Sequence, residues 1–137
     1  MRASYFNDNI FASEVQEWWR HWHGNSLDRR MMCKHGISVV GLKNDRMQLL
    51  AVGYLYPIIG AEICYMGFVV RNPELTPFRA GKALKLLIKE AEDTVRRMGY
   101  SILHTTFEVD SLKKYVTKRG YVPCAETQIL VKDLRNG

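Results

Sequence analysis

The segment 61–87, AEICYMGFVVRNPELTPFRAGKALKLL, constrains the fold of this 137-residue chain more than any other. Apolar residues from Ile63 to Val70 run too continuously for a strand with one wet face, and they predict a buried strand. Pro73 and Pro77 stiffen the turn that follows, and from about Phe78 the apolar positions recur at helical spacing. A buried strand thus delivers the chain to a helix N-terminus. Such a terminus has unpaired N–H donors and the positive end of the helix dipole, and Arg79, Gly81 and Lys82 fall in its first turn. The combination suits an anionic ligand, although an ordinary helix cap with two solvated cations would read the same way locally.

The flanking sequence places this unit in a single domain, 1–137, with mixed α and β content. Ile37–Leu42, the turn at Asn44-Asp45, Met47–Tyr56 and the turn at Pro57–Gly60 lead into the buried strand, which predicts a three-stranded antiparallel meander. Downstream, Met98-Gly99-Tyr100 stops the helix and Ile102–Glu108 alternates as a strand. Strand, helix and strand in this order predict a right-handed crossover with two parallel strands. Ser13 followed by Gln16 reads as a capping box for a helix ending near His23, with Ser26 capping a second short helix to about Met32. Asp110-Ser111 cap a short helix to about Arg119, after which Tyr121-Val122 and Thr127–Val131 read as a closing strand pair.

No apolar stretch has the length of a membrane span, and the N-terminus lacks the basic-then-apolar layout of a secretory signal, so a cytoplasmic location is expected. Cys33, Cys64 and Cys124 are odd in number and widely spaced, which argues against a disulfide framework and a zinc knuckle. A formal charge of +6 favours acidic partners such as nucleotides, coenzymes or nucleic acid, but the basic residues are dispersed rather than blocked.

The order of elements, the Gly81-Lys82-Ala83 helix start and the Lys118-Arg119-Gly120-Tyr121 ending of the short helix together resemble the GNAT superfamily of N-acetyltransferases, in particular its compact members often carried by bacteriophages. Gly81-Lys82-Ala83 matches the second half of the family's Gln/Arg-x-x-Gly-x-Gly/Ala signature, with Phe78 at its Gln/Arg position. Val70 is followed by a longer connection than the family's Val-x-Pro turn, and Val116 stands where its short-helix tyrosine is expected, beside Tyr115. The resemblance implies a mostly antiparallel sheet with a splayed parallel strand pair holding acetyl-CoA as co-substrate. It implies contacts from Phe68, Val69 and Val70 on the strand and from Arg79, Ala80, Gly81, Lys82, Ala83 and Leu84 at the helix start. It further implies an amine acceptor, with a nucleic-acid-linked one permitted by the charge, a monomer or homodimer, and host cytoplasm for a phage-encoded chain.

Three groups of residues are candidates for the chemistry. Glu62, at the start of the buried strand, would be the base if partly buried, with Glu108 at the end of the parallel strand as the second candidate. Tyr115 is the candidate acid for the departing thiolate, but adjacent helix positions point about 100° apart, so it does not replace a tyrosine at 116 without a register shift. Trp19, Trp22 and His23 lie where relatives build the acceptor side of the cleft, while the V-x-x-W-W-x-x-W spacing equally makes one wide apolar packing face. His21 and His23 lie about 200° apart on a helix, which argues against a shared metal. Two functions stay open: an acyltransferase acting by direct attack, and a non-catalytic binding protein on the same scaffold for a host-protein or nucleic-acid partner.

Overall fold

A computed structural model describes residues 1–106, 110–125 and 129–136. Its centre is one five-stranded sheet in the order β1-β2-β3-β4-β5, formed by Arg2–Phe6, Gly36–Lys43, Arg46–Pro57, Ile63–Arg71 and Ile102–Thr105. The first four strands pair antiparallel and β4–β5 is parallel. Helix α1 (Ala12–His23) lies on one face, α2 (Pro77–Arg97) on the other, and α3 (Asp110–Lys118) packs beside α2.

The meander and the crossover follow from local chemistry. Lys43 pairs with Arg46 across a two-residue turn in which Asn44 and Asp45 both take positive φ, 51° and 63°, the geometry that tight hairpins demand. Thr76 caps α2 by accepting from the Arg79 amide, Pro77 opens the helix, and Gly99 at φ 91° follows its end. The helix buries Ala80, Ala83, Leu84, Leu87, Ile88, Ala91 and Val95 along one stripe. Leu87 and Ile88 are fully buried, and each contributes about 1.5–3 kcal/mol by leaving water.

A bulge decides which side chains β4 shows to each face. Val52 pairs with Val70 and Tyr54 with Gly67, so Phe68 and Val69 together oppose Gly53. Phe68 takes φ 50°, costly for a bulky aromatic residue. Before the bulge, Cys64 and Met66 join the core under α2; after it, Phe68 and Val70 join the α1 side, leaving Val69 toward α2.

Several expectations are corrected. β1, read from the sequence as no element, pairs with β2 from Arg2↔Val40 to Phe6↔Gly36. Ser13 and Gln16 form no capping box: Phe11 is the N-cap and makes no side-chain cap bond. Both residues instead accept from the Arg29 guanidinium, at 2.8 and 3.0 Å, and Gln16 also donates to the Leu27 carbonyl at 2.9 Å. A charged donor from the next loop wins over the local cap. The second short helix is a single 3-10 turn, Arg29–Met31, capped by Asp28 rather than Ser26. Among the described residues, 121–125 and 129–133 contain no strand, so the closing pair is not formed there.

Candidate active site

The pairing of β4 with β5 ends at Met66↔Thr105, while β4 runs on to Arg71. Among the described residues nothing continues the ladder on that edge, and the Thr105 hydroxyl closes it by donating to the Met66 carbonyl at 3.0 Å. The described β4–β5 pairs thus stop one residue short of the bulged end of β4, the end from which the chain turns into α2.

On the α2 side, the helix begins one residue earlier than the periodicity suggests. The Ala80 amide already donates to the Thr76 carbonyl at 2.9 Å and the Arg79 amide to the Thr76 hydroxyl at 3.3 Å, so Gly81, Lys82, Ala83 and Leu84 lie within the helix and, Pro77 having no N–H, the Phe78 amide is the donor left over in its first turn. The Arg79 guanidinium reaches the Leu42 carbonyl at 3.0 Å and sits where a Cβ on Gly41 would be, which ties the helix start to the β2–β3 hairpin. Lys82 lies over the exposed Phe78 ring at 4.7 Å. No atom lies within 4 Å of the place a Cβ on Gly81 would take, so that surface is open to a ligand. Ala80, Ala83 and Leu84 are buried and Val70 faces α1, leaving them only backbone or edge contact with a ligand.

An open cleft of about 1620 Å³ wraps the β5 edge of the sheet, lined by Trp19, His23, Asp28 and Phe68 on the α1 side, by His104 and Thr105 of β5, and by Glu92, Val95 and Arg96 of α2. The α1 face of the sheet there is aromatic. Tyr56 pairs with Tyr65 and Tyr65 with His104, so three rings stand directly opposed across three strands. Their centroids are 6.0 and 5.2 Å apart. Phe68, turned to this face by the bulge, lies 6.1 Å from Tyr56 and 5.4 Å from Trp19, which in turn lies 4.0 Å from His23. The Tyr56 hydroxyl donates to the Met31 carbonyl at 2.5 Å, and burial pushes its phenol well above the usual range, so it stays neutral and occupied.

The C-terminal segment is pinned on two sides of this cleft. Arg30 bridges Asp28 and Asp133 at 2.6 and 2.9 Å, and these guanidinium contacts hold the Asp133 carboxyl far below its usual range. Glu92 on α2, largely buried, accepts from the Tyr121 hydroxyl at 2.9 Å, from Arg119 Nε at 3.1 Å and from Arg119 Nη2. Burial pushes the Glu92 carboxyl up, but the hydrogen bonds from Arg119 and Tyr121 outweigh it and the net direction is down.

The remaining predicted site residues are distributed unevenly. Trp19 and His23 line the cleft, whereas Trp22 turns to β4, donating to the Arg71 carbonyl at 3.0 Å under the Arg71 guanidinium. Glu62 is not the partly buried base expected. It is exposed and accepts from the Ser101 hydroxyl at 3.1 Å, six strand positions before Phe68 and so about 20 Å from the bulge. The strand enters the sheet beside the C-terminal end of α2, opposite the bulged end. Glu108 lies outside the described residues. Tyr115 is half-buried between Lys85, at 5.2 Å, and Arg119, at 5.7 Å, and Val116 is its half-buried neighbour. Sequence reasoning missed Tyr56, Tyr65 and His104 because their alignment depends on register across three strands.

The sequence matches no protein-family model and no curated protein. Solved structures do match over nearly the whole chain. A probable acetyltransferase superposes with a TM-score of 0.65 at 14% identity, covering 98% of both chains. A protein of Xanthomonas campestris pv. campestris assigned to the GNAT family gives 0.61 at 14%, covering 100% of this chain and 99% of that one. The chain has a GNAT-type acetyltransferase fold. An aminoglycoside acetyltransferase from an uncultured soil metagenomic sample, in complex with trehalose, gives 0.52 at 14%, covering 96% of this chain and 93% of that one. Within this fold the bulged end of β4 has the start of α2 on one side and the aromatic α1 face on the other. Among the described residues no helix is long and apolar enough to cross a membrane.

Proposed function

We propose that this chain is an N-acetyltransferase that moves the acetyl group of acetyl-CoA to an amine by direct attack. The observation that carries the reading is the bulge at Phe68 in β4, past the last described β4–β5 pair, at the end of β4 that leads into the N-terminus of α2 and beside an open cleft. The Phe78 amide at the positive end of α2, the Lys82 ammonium and the uncovered surface at Gly81 would hold the coenzyme's phosphates. Backbone amides on the β4 edge at the bulge would face the thioester carbonyl and stabilise the oxyanion that develops there. The amine nitrogen attacks that carbonyl, the C–S bond breaks, the nitrogen gives up a proton and the thiolate takes one. A thiol with a pKa near 8.5 leaves tolerably with water as its acid, which Val116 requires if it stands at the acid position.

Thiol release from acetyl-CoA across a panel of primary amines tests the reading. Acceptor-dependent release is expected, with Tyr115→Phe within a few-fold of the parent because that ring sits between two cations, and Glu62→Gln unchanged because it lies at the far end of β4. No release with any amine, from protein that binds the coenzyme, would overturn the catalytic reading. A hundredfold loss in folded Tyr115→Phe would show that the α3 register places that hydroxyl at the sulfur.

A further inference from the structure

We infer that a lysine ridge shared by α2 and α3 is a docking surface for a single-stranded nucleic acid, a binding function that stands independently of the acetyltransferase reading. The basic residues are dispersed in sequence, but the fold aligns them. Phe78, Lys82, Lys85 and Lys89 are all exposed and, at about 100° per residue, fall within about 60° of arc on α2, in a row about 16 Å long. On α3, Lys114 and Lys118 are exposed, one turn apart and on the same side of Tyr115. The Tyr115 ring joins the two rows, with Lys85 over it at 5.2 Å and Arg119 at 5.7 Å. Arginines, in contrast, take up the acids of α2: Glu90 pairs with Arg97, Glu92 with Arg119 and Asp93 with Arg96. Segment 77–119 has ten Lys and Arg and five Asp and Glu, so these three pairs leave seven cations against Glu108 and Asp110. The excess on the two helices is positive whatever those two acids contact.

The make-up of the ridge selects its partner. Lysine is depleted from protein–protein interfaces, where ordering its long side chain costs entropy, whereas as a point charge it suits phosphates repeated along a strand. Such a strand gains affinity by releasing counterions, with no fixed sequence required. Phe78 narrows the class further. Its ring, 75% exposed at the head of the row, offers a flat apolar face to an unpaired base, and Lys82, 4.7 Å from the ring centre, stands ready for the adjoining phosphate. A duplex keeps its bases stacked inside and cannot use that ring, so the ridge fits a single strand.

Fluorescence anisotropy of a labelled oligouridylate on the full chain tests this, with the matching RNA duplex and poly-L-glutamate as competitors. The strand should bind with a slope of log K on log salt of about −3.5, about 0.7 for each of the five ridge lysines. Lys82 is left intact because the proposed coenzyme site uses it. Lys89→Gln/Lys114→Gln should weaken the strand about tenfold and flatten the slope by about 1.4, whereas Lys34→Gln/Lys132→Gln, an equal charge loss at exposed positions off α2 and α3, should leave affinity within about twofold. Phe78→Leu, at a side chain too exposed to matter for folding, should weaken binding about tenfold with the slope unchanged. Equal loss in the two lysine pairs, an unaffected Phe78→Leu, or a duplex or poly-L-glutamate that binds as tightly as the single strand would overturn the inference. Lys89→Gln/Lys114→Gln should also keep the parent's rise in melting temperature with acetyl-CoA; losing it would assign the ridge to the coenzyme instead. Strand binding as described in a parent that shows no such rise would remove the transferase reading and leave the ridge standing. A normal rise without strand binding would do the reverse.

Discussion

Replacing Glu92 by Gln should destabilise the fold in a pH-dependent way. The Glu92 carboxylate, with 11% of its side chain exposed, accepts from both Arg119 and the Tyr121 hydroxyl and so fastens the end of α3 and the start of the C-terminal segment to α2. Hydrogen bonds to a charged group are worth about 1.5–3 kcal/mol each when desolvated, but Arg119 keeps 30% of its side chain in solvent, so a net loss of about 2 kcal/mol is expected. At about 4 °C per kcal/mol for a chain of this size, the melting temperature should fall by about 8 °C at pH 7. The carboxyl sits below its ordinary value of 4.5 in the folded chain, so its contribution is present above pH 4.5 and is lost as the pH falls through the depressed folded value. Thermal melts of parent and Glu92→Gln between pH 7 and pH 3 should therefore converge at the acid end. A difference under 1 °C at pH 7, or one that persists undiminished at pH 3, would refute the reasoning.

Three further outcomes can be checked on purified protein. Asp45→Gly should raise the melting temperature by about 2 °C, because Asp45 holds φ 63° in a tight turn and glycine removes the Cβ penalty of about 0.5 kcal/mol. Gly36→Ala should lower stability by about 2 kcal/mol or more in denaturant titration, since its Cβ would lie 2.5 Å from the Gly53 carbonyl oxygen and 2.5 Å from Phe6 Cζ. In native protein a disulfide reagent should label exposed Cys124 and leave buried Cys64 unreacted until unfolding, burial having pushed the Cys64 thiol up.

Much of the architecture is written in short-range pattern. The hairpin at Asn44-Asp45, the continuous apolar run of β4 and the helical stripe of α2 each declare themselves within a few residues, and the parallel β4–β5 pair follows from the crossover they compel. What escapes is what depends on distant partners. Ser13 and Gln16 have the spacing of a cap but are claimed by Arg29, and β1 is too short and too weakly alternating to be read without β2 beside it. The site divides in the same way. Gly81 and Lys82 mark the helix start from sequence alone, whereas the alignment of Tyr56, Tyr65 and His104 with Phe68 needs both the β3–β4–β5 register and a bulge that reverses Phe68. The expected partial burial of Glu62 fails because the apolar run of β4 begins only at the next residue, leaving Glu62 exposed at the strand's entry beside Ser101.

The most direct test of the central claim is the melting temperature of the chain in acetyl-CoA, for the parent and for Gly81→Val. Saturation at a hundred times the dissociation constant should stabilise the parent by about 2.7 kcal/mol, a rise of about 10 °C. Gly81→Val, whose side chain would enter open space and leave the core untouched, should fold normally and lose that rise. An unchanged parent melting temperature at millimolar acetyl-CoA, or a rise as large in Gly81→Val as in the parent, would contradict a coenzyme site at the N-terminal end of α2.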